Sequence, residues 1–219
     1  MSSIKASKQL LRKDVMSKLN SLPYQDIIDQ SIESLNVLQR LNIFQKSQNV
    51  GIFMSMDTEI QTQLIIKESF DLGKNVYLPH IANINKLDHN NIKLFKKEPM
   101  YLIFYQMDNY ESVLNLEPIG KYKLKEPTKG QDLLDELTGN TPLDLLIMPG
   151  VAFTSKLDRL GHGGAFYDDF IKRHLIKFGS KPFLLGIGLD VQLVDSLPIE
   201  KHDEPLDGLI IKNQFYNNE

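Results

Sequence analysis

The sequence predicts an α/β fold, a three-layer α/β/α arrangement around a mostly parallel, doubly wound sheet with a β-excursion, built as a single domain over residues 1–219. Three observations carry this. The run Leu143-Asp144-Leu145-Leu146-Ile147-Met148-Pro149-Gly150 is apolar almost throughout and ends in turn residues, as expected of a central parallel strand covered on both faces. Segments of helical and of strand period alternate along most of the chain. At 219 residues and 42% hydrophobic composition, the chain suffices for one well-filled core and is short for two.

Residues 4–19 open the chain as a helix, because Ile4, Leu11, Val15 and Leu19 fall on one stripe at about 100° per residue. Lys8 and Arg12 fall on that same stripe, an i, i+4 basic pair pointing where core residues belong, whereas Lys13 lies on the opposite face. Either the pair snorkels at the edge of a packed helix or it is held inward for a purpose. A second helix follows Leu22-Pro23, with proline in its first turn and Ile28, Ile32, Leu35 and Leu38 at helical spacing, and should end near Asn42. A strand at 50–54, a helix at 60–72 stopped by Gly73 and a strand at 76–78 before Pro79 make a β-α-β unit.

Residues 80–130 break the rhythm. Their polar turns, short candidate strands at 92–95 and 102–105, and the proline- and lysine-rich stretch 118–127 form the β-excursion. Beyond the central run, Phe166, Phe170, Ile171, Leu175 and Phe178 mark a helix ending at Gly179, followed by strands at 183–187 and 209–211. Ligands of such sheets lie beyond the carboxyl ends of the strands, which singles out residues 55–59, 151–167 and the stretch from 189 onward.

Composition narrows the function classes. A net charge of −3, with 25 Lys+Arg against 28 Asp+Glu, offers no electropositive surface for nucleic acid, so any anion site must be local. There is no cysteine, hence no disulfide, thiolate zinc site or cysteine nucleophile. No apolar run approaches the ~20 residues that span a bilayer. The stretch Met1-Ser2-Ser3-Ile4-Lys5-Ala6-Ser7-Lys8 is basic and serine-bearing like a transit peptide, but it lacks arginine and runs into a helix containing Asp14. A cytoplasmic address is the expectation, with a mitochondrial one as the alternative.

The densest chemistry lies in Arg159-Leu160-Gly161-His162-Gly163-Gly164-Ala165-Phe166-Tyr167-Asp168, between the central strand and a helix. Glycines there let backbone N–H groups approach an anion, the helix start adds its positive dipole end, Arg159 offers a fork of donors, and Asp168 can hold a metal ion. Neither a dinucleotide fingerprint nor a Gly-Lys-Ser/Thr loop is present, and a plain glycine turn closing strand onto helix explains the segment equally well. The stretch Leu197-Pro198-Ile199-Glu200-Lys201-His202-Asp203-Glu204-Pro205-Leu206-Asp207-Gly208 concentrates carboxylates that, with Asp168, suit Mg²⁺, or that form a solvated acidic loop. Glu59 either favours a helix dipole behind a cap at Asp57 or Thr58, or recognises a ring bearing N–H donors beside Met54 and Met56. His80, His89 and His174 show no metal-ligand spacing, and His174 reads as a helix-surface residue. No Gly-x-Ser-x-Gly elbow supports a serine triad.

Taken in order, Lys8-Gln9-Leu10-Leu11-Arg12, Phe53-Met54-Ser55-Met56-Asp57-Thr58-Glu59-Ile60, Leu146-Ile147-Met148-Pro149-Gly150-Val151-Ala152-Phe153, the 159–168 segment and His202-Asp203 resemble the 5-formyltetrahydrofolate cyclo-ligase family over nearly the whole chain. The resemblance implies a NagB/RpiA/CoA-transferase-like fold and a monomeric ligase that uses ATP and Mg²⁺ to convert 5-formyltetrahydrofolate, with or without a polyglutamate tail, to 5,10-methenyltetrahydrofolate. It implies ATP contacts from Lys8, Gln9, Leu10, Leu11 and Arg12 and from Arg159, Leu160, Gly161, His162, Gly163, Gly164, Ala165, Phe166 and Tyr167, with Lys8 and Arg159 catalytic. It implies folate contacts from Met54, Glu59, Tyr122, His162, Gly163, Gly164, Ala165 and Phe166, and Mg²⁺ on Asp168 and Asp203. Relatives often carry a third glycine and a tyrosine where this chain has Ala165 and Phe166. A weakened nucleotide- or folate-binding regulator and a sugar-phosphate isomerase of related architecture are the competing readings.

Overall fold

The computed structural model describes residues 3–83, 100–119, 124–135, 141–200 and 203–218. Two helices, α1 (Ser3–Ser21) and α2 (Tyr24–Leu38), and a short α3 (Asn42–Lys46) precede β1 (Asn49–Ile52); α4 (Gln63–Asp71) then leads to β2 (Asn75–Asn83). The excursion holds β3 (Met100–Met107), α5 (Tyr110–Leu114), β4 (Pro118–Ile119) and β5 (Leu124–Lys125). The chain re-enters the sheet with β6 (Leu145–Met148), makes a hairpin of β7 (Ala152–Phe153) and β8 (Arg159–Leu160), and runs into α6 (Phe166–Phe178). It finishes with β9 (Phe183–Gly188), β10 (Gly208–Ile211) and β11 (Gln214–Asn217).

The main sheet has the order β11-β10-β9-β6-β1-β2-β3. Its five inner strands, from β10 to β2, are parallel, and the outer two are antiparallel to their neighbours. Winding proceeds from β1 to β2 on one side and later from β6 through β9 to β10 on the other. The switch point therefore lies between β1 and β6, and the crevice beyond their carboxyl ends is where such sheets bind ligands. Alternation on the strands feeds two cores. Leu145 and Ile147 of β6 pack with α1, α2 and α4, while Leu146 and Met148 pack with Phe170 and Ile171 of α6. The expected α/β sandwich is thus present, with helices on both faces.

Several elements differ from the sequence reading. The buried stripe of α2 is Ile27, Gln30, Ser31, Ser34 and Leu38, whereas Ile32 is exposed. Serines on the inner face satisfy their hydroxyls locally and across the fold: Ser31 Oγ donates to the Ile27 carbonyl and accepts from Gln61 N–H, and Ser34 Oγ donates to the Lys212 carbonyl. Helix α4 starts at Gln63 rather than 60, because residues 55–62 are consumed by a turn in which Thr62 Oγ1 donates to the Phe53 carbonyl. Neither Asp57 nor Thr58 caps it. Strand β2 runs on through Pro79 to Asn83, since beyond Tyr77 it pairs only with β3 and an edge strand tolerates proline. The β7–β8 hairpin, the β4–β5 ribbon and β11 lack the length or alternation that sequence reading needs. His174 is fully buried rather than on the surface, its Nδ1–H donating to the Ser180 carbonyl and its Nε2 accepting from Leu143 N–H. The expected strand at 92–95, together with His89, Tyr122 and His202, lies outside the described residues.

Candidate functional site

Three chain segments meet beyond the carboxyl ends of β1 and β6. From the N-terminus, α1 turns Val15 and Leu19 into the core and keeps Lys8 on the same inward stripe, where the residue is only 7% exposed. Lys8 Nζ lies 2.9 Å from Glu200 Oε2 and 2.6 Å from Asp203 Oδ2. Burial opposes the Lys8 charge, but the hydrogen bonds and fields of Asp203 and Glu200 outweigh it and hold its pKa above the ordinary lysine range. One turn on, Arg12 Nε donates to the Gly161 carbonyl at 2.7 Å. Burial lowers the pKa of Arg12, Asp203 and Glu200 counter it, and a guanidinium stays charged regardless. Leu11 is half-buried against the core, and Gln9 and Leu10 sit on the exposed side of the helix.

The second segment is the glycine loop. After β6 the hairpin closes through Val151 N–H to the Leu160 carbonyl, which puts Arg159 on β8 facing the crevice rather than in a free loop. Arg159 Nη1 donates to the Pro149 carbonyl at 3.3 Å, Nη2 lies 3.5 Å from Asp168 Oδ2, and the guanidinium carbon sits 5.5 Å from the Tyr167 ring centre. Its Nε is buried with no hydrogen-bond partner among the described residues. Gly163 has φ +93°, and a Cβ there would stand 3.5 Å from the Arg12 guanidinium, so this turn lets the loop pass close beneath a cation. Ala165 precedes α6 in the left-handed region, φ 50°, ψ 26°, at the cap position, where its methyl group can supply no capping hydrogen bond. Burial pushes the Tyr167 hydroxyl pKa up, against a lowering pull from Arg159 and with a further push from Glu59.

The third segment supplies carboxylates. Asp168, on the first turn of α6, is 8% exposed, and its Oδ1 accepts the Glu204 N–H at 3.2 Å. That bond ties the start of α6 to the backbone directly after Asp203. Asp203 Oδ2 also accepts the Glu200 N–H at 2.8 Å, and Asp203 N–H donates to the Glu200 carbonyl at 3.0 Å. A cavity of about 280 Å³ opens between this turn and the hairpin, lined by Arg159, Leu160, Leu197, Ile199, Glu200 and Asp203 among others. On the β1 side, Glu59 is buried, its Oε2 accepting the Met56 N–H at 2.8 Å, while its Oε1 faces His162 Nε2 at 3.9 Å across the crevice. Met54 is half-buried at the edge of the same core.

Asp168, buried at the start of α6 beside Arg159, and Asp203, half-buried beside Lys8, are hard-oxygen donors of the kind Mg²⁺ accepts when phosphate oxygens complete its shell. Asp168 and Asp203 therefore fit that ion. Cations from α1 and β8, backbone from a glycine loop and a helix start together suit a polyphosphate. Sequence reading named Glu200 only as part of an acidic stretch; its partner, Lys8, lies 192 residues away, and no local pattern carries that information.

Comparison with known proteins gives the same direction. A model of the 5-formyltetrahydrofolate cyclo-ligase family matches residues 4–212. The chain is 36% identical over 208 residues to a 5-formyltetrahydrofolate cyclo-ligase of Saccharomyces cerevisiae, covering 94% of this chain and 95% of that one. It is 26% identical to the Mus musculus 5-formyltetrahydrofolate cyclo-ligase, with 96% of each covered. In fold it is similar to a 5,10-methenyltetrahydrofolate synthetase of Aquifex aeolicus, with a TM-score of 0.69 at 23% identity, covering 96% of this chain and 92% of that one.

Proposed function

The chain belongs to the 5-formyltetrahydrofolate cyclo-ligase family, and from that premise we propose that it is a C–N-bond-forming ligase that cyclises 5-formyltetrahydrofolate to 5,10-methenyltetrahydrofolate at the expense of ATP. Residues 1–219 act as one domain and as a monomer, in the cytoplasm, on a folate with or without a polyglutamate tail. Among the described residues no helix is long and apolar enough to cross a membrane.

The chemistry explains the need for this site. A formamide carbonyl is a poor electrophile because N5 donates into it, and hydroxide is a very poor leaving group from the cyclised adduct. Transfer of the terminal phosphoryl group to the formyl oxygen forms that O–P bond as the bond to the ADP oxygen breaks. N10 then attacks the formyl carbon and gives up its proton, and cleavage of the C–O bond expels phosphate. Such a transfer asks the protein for alignment and charge neutralisation rather than for a nucleophile.

Lys8 and Arg12 hold the phosphates from above, and the backbone from Gly161 to Tyr167 cradles them from below. Arg159, with an unpartnered Nε and two long hydrogen bonds, has donor capacity left for the transferring group. Asp168 and Asp203 would hold Mg²⁺, which when bound neutralises phosphate oxygens. Met54 and Glu59 receive the pterin, with Glu59 Oε1 accepting from its ring N–H groups, and His162 to Phe166 lie between nucleotide and folate. Tyr122 completes the folate side. The observation that carries the proposal is the convergence of Lys8 and Arg12 on the glycine loop and its carboxylates at the switch point of the sheet.

The test is absorbance of methenyltetrahydrofolate on mixing purified protein, 5-formyltetrahydrofolate, ATP and Mg²⁺. Product formed stoichiometrically with ADP is expected. Retained ATP binding without product would replace the proposal with a binding regulator.

A further inference from the structure

Lys8 is held by two carboxylates, and one of them has a second duty. Its ammonium is buried, so it needs a permanent counter-charge, because an unpaired buried ion costs several kcal/mol. Asp203 Oδ2 already accepts from Lys8 Nζ and from Glu200 N–H. Under the cyclo-ligase reading, on which this inference rests, the same carboxylate must also meet Mg²⁺. Asp203 alone, shared between an ammonium at 2.6 Å and a metal, would leave one negative charge to serve both cations.

Glu200 resolves the conflict. Its Oε2 stands 2.9 Å from Lys8 Nζ, and its side chain is 39% exposed, lining the same cavity as Arg159 and Asp203. Two bonds close the turn, Glu200 N–H to Asp203 Oδ2 and Asp203 N–H to the Glu200 carbonyl, and Lys8 Nζ meets both carboxylates. We infer that Glu200 is a positioning residue of the nucleotide site: it holds the Lys8 ammonium in place so that Asp203 can give its charge to the metal. Three carboxylates, Asp168, Asp203 and Glu200, then face Lys8, Arg12 and Arg159, and the balance shifts toward Lys8 and the metal sharing Asp203 only when Glu200 is neutralised.

The experiment is calorimetric titration of the whole protein with ATP alone and with Mg·ATP, in wild type, Glu200→Gln, Glu200→Asp, Lys8→Met and the Lys8→Met/Glu200→Gln double variant. In Glu200→Gln the advantage of Mg·ATP over metal-free ATP should shrink by about tenfold, the scale of losing a partner that orients a metal ligand. Metal-free ATP should bind as well or better, one negative charge having gone. Glu200→Asp should keep most of the wild-type gap, and in the Lys8→Met background Glu200→Gln should change it little. An unchanged gap in Glu200→Gln, a loss in Glu200→Asp as large as in Glu200→Gln, or an equal tenfold effect without Lys8 would each overturn the inference, the last by making Glu200 a metal ligand itself. Failure of the cyclo-ligase reading is separate and visible first: wild-type protein would then form no methenyltetrahydrofolate from 5-formyltetrahydrofolate and Mg·ATP, whether or not it binds ATP.

Discussion

Helix α6 carries two adjacent aspartates in its first turn, each buried and each facing an arginine, yet the two pairs are built differently. Asp169 meets Arg173 one turn along its own helix at 2.9 Å, and Arg173 also donates to the Leu102 carbonyl and lies 5.1 Å from the Tyr101 ring centre. Asp168 meets Arg159 from another element at 3.5 Å, and the bond from Arg159 to the Pro149 carbonyl is also long at 3.3 Å. The first pair ties α6 to β3 and is spent on the fold. The second is loose, at the mouth of a cavity, with strength in reserve for something else. Adjacent positions on one helix point about 100° apart, so a single sequence step separates a structural ion pair from one proposed to serve the nucleotide.

Exchanging the two arginines' fates should break or sharpen this contrast. Arg173→Ala removes the ion pair of buried Asp169 and the tie to the Leu102 carbonyl and should cost about 3–5 kcal/mol of stability, read by denaturant unfolding, while the folded fraction keeps its turnover. Arg159→Ala should do the reverse, lowering turnover about 10²- to 10³-fold with a stability change of about 1 kcal/mol. Equal stability losses in both would erase the distinction. The next effect belongs to His174, one residue past Arg173. Its two hydrogen bonds require the neutral Nδ1–H tautomer, and burial lowers its pKa despite the Ser180 carbonyl.

The folded form therefore resists protonation that the unfolded chain accepts. The His174 contribution is complete above the unfolded value near 6.5 and is lost as the pH falls from there through the folded value. His174→Ala should cost about 2–3 kcal/mol at neutral pH and flatten the acid side of the stability profile; an unchanged profile would assign that limb to other groups. The smallest effect lies in the loop. Ala165 holds a left-handed conformation that disfavours a Cβ, so Ala165→Gly should relieve up to about 1 kcal/mol, seen as a higher Tm. A lower Tm would mean that the alanine methyl packs favourably enough to outweigh its strain.

Much of this was legible in the chain. The apolar run at β6 and the alternation around it are strong, local, periodic signals, and they gave the sheet. Lys8 and Arg12 were legible because a cation on an apolar stripe violates the pattern around it. The α2 face was misread because buried serines mimic a polar surface until their partners, the Gln61 N–H and the Lys212 carbonyl, are known. His174 was misread for the same reason: its acceptor role depends on Leu143, 31 positions earlier. The contrast between Asp168 and Asp169 was invisible, since neighbouring identical residues carry no sign of which arginine each will meet.

The bond from Lys8 to Asp203 closes a loop of 195 residues. During synthesis at about 5–20 residues per second, the first cation of the site waits roughly 10 to 40 seconds for its carboxylates to leave the ribosome. Under the proposed function, no partly made chain holds the complete polyphosphate cradle, however well its central strands have formed. Nucleotide binding is thus a late event in the life of each molecule, and once it occurs it draws the finished fold away from its unfolded competitors by mass action.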